Sequence, residues 1–205
     1  MMKQRPKKQE GFSIVELLIS MTLILVLLAV VTSIFADAIG FRERESSKTD
    51  ALTAAKAALN VLSREISNSG YGLTHNGIVV ADSDSTQLHF RSNWDNSDML
   101  TVSPGEDVTY YFDTSTNSIV RYDPNDSPTT SAVINEISSV TFQYFDYAGA
   151  SSTPTLSDTP SSNTGRVRVT VSVILGEVQG QPSGQTVSYT SDVTLRNSNY
   201  MLNQY

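Results

Sequence analysis

One carboxylate near the start of the chain, Glu16, lies where a charge is costly. It follows the stretch "KKQEGFSIV" and precedes twenty residues, 17–36, that contain no charge, no proline and no glycine. An isolated carboxylate in apolar surroundings is expensive, whereas one beside an ammonium group is tolerated. The chemistry open to Glu16 is therefore ion pairing in a low-dielectric environment, and it requires a cationic partner.

The other residues that could do chemistry do not form a pattern typical of an enzyme. The two histidines, His75 and His89, lack the spacing of metal ligands, and the sequence has no cysteine, no phosphate-binding loop and no nucleophile motif. The turns "DSDS" (82–85) and "DPNDS" (123–127) resemble loose calcium loops without the spacing and terminal glutamate of an EF-hand. We expect no enzymatic activity, no cofactor and no metal, with a calcium loop as the alternative at these turns.

The uncharged stretch 17–36 has the length of a membrane span. Twenty helical residues measure about 30 Å, and a helix satisfies its own backbone hydrogen bonds in lipid. Positive charges crowd the first eight residues, which predicts a cytoplasmic amino terminus and a carboxyl-terminal part on the other side of the membrane. A secretory signal peptide would have a shorter apolar core, and a plain membrane anchor leaves Glu16 unexplained.

The stretch "EGFSIVELLI" resembles the cleavage and methylation signature of type IV prepilins and pseudopilins, which combines a basic leader, Gly, Phe, three residues, Glu and an apolar helix. The resemblance implies that a prepilin peptidase cuts between Gly11 and Phe12, and that the new amino terminus of Phe12 is methylated. It also implies that Glu16 meets the terminal amine of a neighbouring subunit as helices bundle in a filament. That amine is the cation that Glu16 needs.

Helical periodicity continues beyond the apolar stretch. Apolar residues recur at spacings of three and four, in the stripe Leu52, Ala55, Leu59, Leu62 and Ile66. No proline occurs between Phe12 and Gly70, so we predict one helix over 12–69 with Gly70 as its carboxyl cap. Its end, "ALNVLSREISNSGYGL" (58–73), is similar to the corresponding segment of PilW-type minor pilins and J-type pseudopilins.

From Gly77 onward the periodicity changes to two, which is typical of strands. Turn-forming residues separate seven such segments: "GIVVAD", "TQLHFR", "DVTYYFD", "SIVRYD", "SVTFQYFDY", "RVRVTVSVIL" and "TVSYTSDVTL". The strand at 166–173 is expected to pair with one at 187–195, and 148–165 is predicted to be a long loop. We predict an α+β, pilin-like fold in which a long amino-terminal helix, half transmembrane, packs on antiparallel β-sheets.

The predicted organisation has four parts. They are a cleaved basic leader (1–11), the transmembrane or filament-core half of the helix (12–36), its amphipathic half (37–69) and a globular β domain (70–205). The net charge is −7, and removal of the leader, which carries +3, leaves −10 before the new amino terminus is counted. This acidity disfavours a general DNA-binding role, although a local basic patch around Arg91, Arg121 or Arg166 stays an alternative.

The resemblance implies a structural minor pilin of the bacterial inner membrane. It would be single-pass with a periplasmic globular domain, and would enter a type IV pilus in initiation or at the tip. The implied partners are the prepilin peptidase, other major and minor pilins, the inner-membrane assembly platform and, before assembly, membrane lipid; no nucleotide is implied. The alternatives are a J-type minor pseudopilin of type II secretion, a DNA- or surface-binding module, and an anchored protein that never polymerises.

Overall fold

A long helix and eight strands make up most of the fold. The computed structural model describes residues 11–95, 100–148, 152–178 and 182–203. The helix α1 (Ile14–Ile66) comes first, and a short helix, α2 (Asn199–Leu202), comes last. Between them lie β1 (Gln87–Arg91), β2 (Asp107–Asp113), β3 (Ser118–Tyr122), β4 (Thr130–Ile134), β5 (Ile137–Asp146), β6 (Thr155–Ser157), β7 (Thr164–Ile174) and β8 (Thr186–Thr194). The predicted α+β, pilin-like class is confirmed.

The strands form two antiparallel sheets of four. One has the order β1-β2-β3-β4, and the other has the order β6-β5-β7-β8. The predicted pairing of the two alternating strands is confirmed, since Val167 of β7 lies opposite Val193 of β8 and Val171 lies opposite Tyr189. In β7 the side chains alternate between buried and half-buried, as a strand between a core and solvent requires.

The carboxyl-terminal half of α1 packs on the sheets through its apolar stripe. The helix residues that are buried in this contact are Ala51, Ala55, Ala58, Leu59, Leu62 and Ile66. Leu52, which the periodicity placed in the stripe, is only half-buried at its edge. Through this stripe α1 packs on both sheets: it contacts β7 and β8 of one sheet and β4 of the other.

The predicted end of the helix is wrong by three residues. Ser67 is the carboxyl cap, and its N–H donates to the carbonyl of Ser63 (3.0 Å). Gly70 has the left-handed backbone (φ +78°) expected of a cap, but its N–H donates to the carbonyl of Arg91 in β1 (2.9 Å). The glycine therefore joins the helix end to the first sheet rather than closing the helix on itself.

Three strand predictions also differ from the structure. The segment "GIVVAD" contributes one isolated bridge, between Ile78 and Phe90, and a turn of 3₁₀ helix at Val80–Asp82. The segment "TSAVI" forms the edge strand β4, and the predicted loop 148–165 contains the three-residue strand β6. Neither strand shows the alternation of apolar and polar residues that identified the others, because both are exposed sheet edges.

Two tyrosines are fully buried in this core, with hydroxyl groups that reach polar partners. The Tyr110 hydroxyl donates to Glu65 Oε2 (2.8 Å), and the Tyr144 hydroxyl donates to the carbonyl of Asp84 (2.8 Å). Burial, followed by the nearby Glu65 carboxylate, raises the pKa of Tyr110 far above its usual value. Burial, followed by the charge of Asp84, does the same for the pKa of Tyr144.

We expect these tyrosines to make the fold sensitive to alkali. In the unfolded chain a tyrosine loses its proton near pH 10, while the folded protein retains it on both residues. Stability is therefore complete below about pH 10 and falls above it, by about 1.4 kcal/mol per pH unit for each tyrosine. Urea unfolding of the full chain in detergent micelles between pH 9 and 11 measures this slope. Tyr144→Phe should make the free energy of unfolding fall less steeply with pH, by the contribution of one tyrosine. An unchanged slope would contradict the raised pKa of Tyr144.

Candidate functional site

The peptide bond between Gly11 and Phe12 lies immediately before α1. Ser13 is the amino-terminal cap of α1 and has an extended backbone (φ −74°, ψ 141°). The first helical hydrogen bond runs from the Leu17 N–H to the Ser13 carbonyl (3.1 Å). Phe12 is 79% exposed. The bond is therefore outside the helix and on the surface, where a peptidase can reach it without unwinding α1.

Packing does not explain why residue 11 is a glycine. A Cβ built on Gly11 would meet no described atom within 4 Å. Within the described residues, packing therefore sets no requirement for a glycine at this position.

Glu16 lies in the first turn of α1, exposed and without an ion pair to any described residue. The partial positive charge of a helix amino terminus favours a carboxylate there. Ser13 and Glu16 have the spacing of a capping box, but the Ser13 side chain makes no capping hydrogen bond. No described residue therefore supplies a cation to the carboxylate of Glu16.

The apolar half of α1 is long enough to cross a membrane, and none of that stretch is buried against the described part of the chain. Three of its hydroxyl groups bond to their own helix: Ser20 donates to Leu17 (2.9 Å), Thr22 donates to Leu18 (2.7 Å) and Thr32 donates to Leu28 (2.8 Å). Hydroxyls satisfied in this way do not need water, so they are compatible with lipid. The helix is a single-pass membrane anchor.

A charged cluster fixes the other end of α1 to the first sheet. Arg121 in β3 is only 13% exposed at its side chain, and three carboxylates surround its guanidinium. Glu65 of α1 lies 3.0 Å from Nε, Asp123 lies 3.2 Å from Nη2, and Asp126 lies 3.4 Å from Nη1. Tyr110 adds a hydrogen bond to Glu65. Glu65, which lies in the segment 58–73, thus ties the helix to the sheet.

The three arginines considered for a DNA-binding patch are each paired with a carboxylate. Arg121 is enclosed as described, Arg91 in β1 lies 3.1 Å from Asp107, and Arg166 in β7 lies 3.8 Å from Asp192. Arg91 and Arg121 belong to one sheet and Arg166 belongs to the other. At each of the three positions the structure therefore sets a carboxylate against the arginine's positive charge.

The two turns considered for calcium use their carboxylates within the chain. Asp84 accepts hydrogen bonds from the N–H groups of Thr86 (2.6 Å) and Gln87 (3.0 Å), which lower the pKa of its carboxyl. Asp123 accepts from the Gly105 N–H (2.6 Å) as well as from Arg121. Within the described ranges, no group of three or more acidic, histidine or cysteine side chains converges as metal ligands.

Residues 6–32 match the family model described as the prokaryotic N-terminal methylation motif. No curated protein and no solved structure shows a significant match to the chain. The type IV prepilin and pseudopilin signature is thereby confirmed. The matched residues include Gly11, Phe12 and Glu16 but not 58–73, so the similarity to W-type and J-type subunits stays a prediction.

Proposed function

We propose that this type IV pilin- or pseudopilin-like protein is a structural minor pilin of the PilW type. It enters a type IV pilus after cleavage by the prepilin peptidase and acts in initiation or at the tip. The observation that carries the proposal is the coincidence of three features within residues 6–32. They are the methylation motif, an apolar helix that packs on no described part of the chain, and Glu16 at the start of that helix without an ion pair to a described residue.

Processing would begin in the inner membrane. The basic leader stays in the cytoplasm, and the globular β domain lies on the periplasmic side. The peptidase cuts between Gly11 and Phe12, which are exposed and outside the helix, and Phe12 becomes the methylated amino terminus.

Assembly would then move the apolar helix from lipid into a bundle of pilin helices. In that bundle Glu16 loses its contact with polar headgroups and water, and its charge requires a partner. The amine of a neighbouring subunit's first residue supplies this partner, so the ion pair favours the correct register between subunits. The other participants are the assembly platform and further major and minor pilins. The chain itself acts as a scaffold rather than an enzyme.

The experiment that tests this proposal combines mass spectrometry with a variant of Glu16. Co-expression with a prepilin peptidase should yield a chain that begins at Phe12 and carries one amino-terminal methyl group. Glu16→Ala should be processed equally but recovered in sheared filaments at about one tenth of the wild-type level or less, because an unpaired terminal amine is left in the bundle. Glu43→Ala, which removes an exposed carboxylate from the same helix, is the matched control and should assemble normally.

Two results would contradict the proposal. One is a chain that keeps residues 1–11 in cells with the active peptidase, which would indicate a plain anchor. The other is normal incorporation of Glu16→Ala. Recovery with secretion pseudopilins instead of pilus subunits would replace the PilW-type assignment with the J-type alternative.

A further inference from the structure

A groove on the globular domain has the walls of a peptide-binding site. It lies between the last turns of α1 and strand β8 and has a volume of about 820 Å³. Residues 191–194 of β8 line it consecutively. Because successive strand residues point to opposite faces of a sheet, four in a row can line a groove only where it follows the strand's edge. The opposite wall is one polar face of α1, formed by Asn60, Ser63, Arg64 and Ser67.

The edge of β8 that borders this groove is open. β8 is the last strand of its sheet, and no described residue outside β7 hydrogen-bonds to its backbone. It is nine residues long, has no proline or lysine, and pairs with β7 without a break in register. Proteins usually shorten, bulge, charge or cover such edges, because they are templates for pairing with another chain.

Other edges of the two sheets are protected in these ways. β6, at the opposite edge of the same sheet, is only three residues long. β1 is covered by the segment before it, since the Arg91 N–H donates to the Gly77 carbonyl (2.8 Å) and the Val79 N–H donates to the His89 carbonyl (2.9 Å). The edge of β8 therefore differs from the edges at β6 and β1, since it is neither short nor covered by hydrogen bonds from another described segment.

Two unpaired arginines border the same groove. From residue 58 onward the chain has six arginines and no lysine. Four of the arginines form ion pairs with carboxylates: Arg91, Arg121, Arg166 and Arg168. The guanidinium groups of Arg64 and Arg196 are exposed and have no hydrogen bond or ion pair with a described residue. Both residues line the groove. Asp192 also lines the groove, but Arg166 and Arg168 neutralise its carboxylate, so the groove offers net positive charge to an acidic ligand.

We propose that this groove binds an extended, acidic peptide segment of a partner protein. The segment adds to β8 as a further strand, and its alternate carboxylates meet Arg64 and Arg196. A lipid headgroup does not fit, because Asn60 lies 24 helical residues beyond Ala36, which is roughly 35 Å from the end of the apolar stretch. The site does not depend on cleavage at Gly11, so this inference does not rest on the proposed function.

Binding of a designed peptide to the full chain in detergent micelles tests the charge preference. The probe is a fluorescent eight-residue peptide of alternating glutamate and threonine, and the comparison peptide carries lysine in place of glutamate. The glutamate peptide should bind more tightly. The double variant Arg64→Glu/Arg196→Glu should weaken its binding about tenfold or more and strengthen binding of the lysine peptide. The control is Arg42→Glu/Lys48→Glu, called the stalk variant because both residues lie on the exposed part of α1 before its buried stripe. It makes the same change of charge and should leave the affinities for both peptides unchanged.

Backbone methylation of the peptide tests the strand addition. A strand pairs through the N–H groups of alternate residues, so methylating one alternate set of amides should weaken binding about tenfold and methylating the other set should not. Equal binding of both peptides, no binding of either, indifference to both methylation patterns or an equal loss in the stalk variant would overturn the proposal. Binding of duplex DNA that is lost in Arg64→Glu/Arg196→Glu, without peptide binding, would also overturn it.

Discussion

Arg121→Met is expected to destabilise the globular domain by about 3–5 kcal/mol. The guanidinium of Arg121 is the shared cation for Glu65, Asp123 and Asp126, and it is largely enclosed. Methionine has a similar volume and fills the space, but it leaves three carboxylates without their cation. Asp123 is fully buried, so water cannot replace the lost interaction there. The loss of stability thus comes from the unpaired carboxylates rather than from a cavity.

Urea unfolding of the full chain in detergent micelles, followed by the fluorescence of the single tryptophan, measures this effect. Arg168→Met is the matched control. Arg168 makes a two-point ion pair with Asp192 (2.7 and 3.0 Å) on the exposed face of its sheet, where removal of one partner costs about 1 kcal/mol or less. An equal decrease in the free energy of unfolding in the two variants would show that burial of the Arg121 cluster does not increase its contribution to stability.

The cluster around Arg121 also shows what the sequence could not predict. Glu65 and Arg121 are 56 residues apart, and nothing in the local pattern of either strand or helix indicates that they meet. By contrast, the pairing of β7 with β8 was predictable, because both strands alternate regularly and a one-residue slip would expose the apolar face. Apolar and polar residues alternate in a strand whose one face is buried and whose other face is exposed. This alternation is therefore absent from the exposed edge strand β4, which the sequence did not reveal.

The same distinction holds for the residues to which we assign a function by proposal. Gly11, Phe12 and Glu16 lie within six positions, so their relation is a property of the linear sequence and is readable from it. The groove beside β8 cannot be predicted from the sequence, because Arg64 belongs to the last turn of α1 and Arg196 follows β8, far along the chain. They become neighbours only when β8 is placed beside α1. A strand edge left open is likewise a property of the sheet order and not of the strand's own residues.

The turn after α1 depends on Gly77 more than on any side chain near it. Gly77 has a left-handed backbone (φ +80°), which costs other residues about 1 kcal/mol or more. A Cβ at this position would also overlap the Gly70 nitrogen and the Arg91 carbonyl oxygen, and would lie 2.6 Å from Ser69 Oγ. Two of these three obstacles are backbone atoms that hold the helix end against β1, since the Gly70 N–H donates to the Arg91 carbonyl.

Gly77→Ala is therefore expected to lower the free energy of unfolding by about 4 kcal/mol, a large fraction of the stability of a typical domain. Gly184→Ala separates the two contributions. Gly184 has a similar backbone (φ +72°) but open space around its Cβ position, so alanine there should cost only about 1 kcal/mol. The same urea titration in micelles measures both variants. A loss at position 77 no larger than at position 184 would show that the helix end can move away from β1 at little cost. The contact between Gly70 and Arg91 would then not be what holds the long helix on the first sheet.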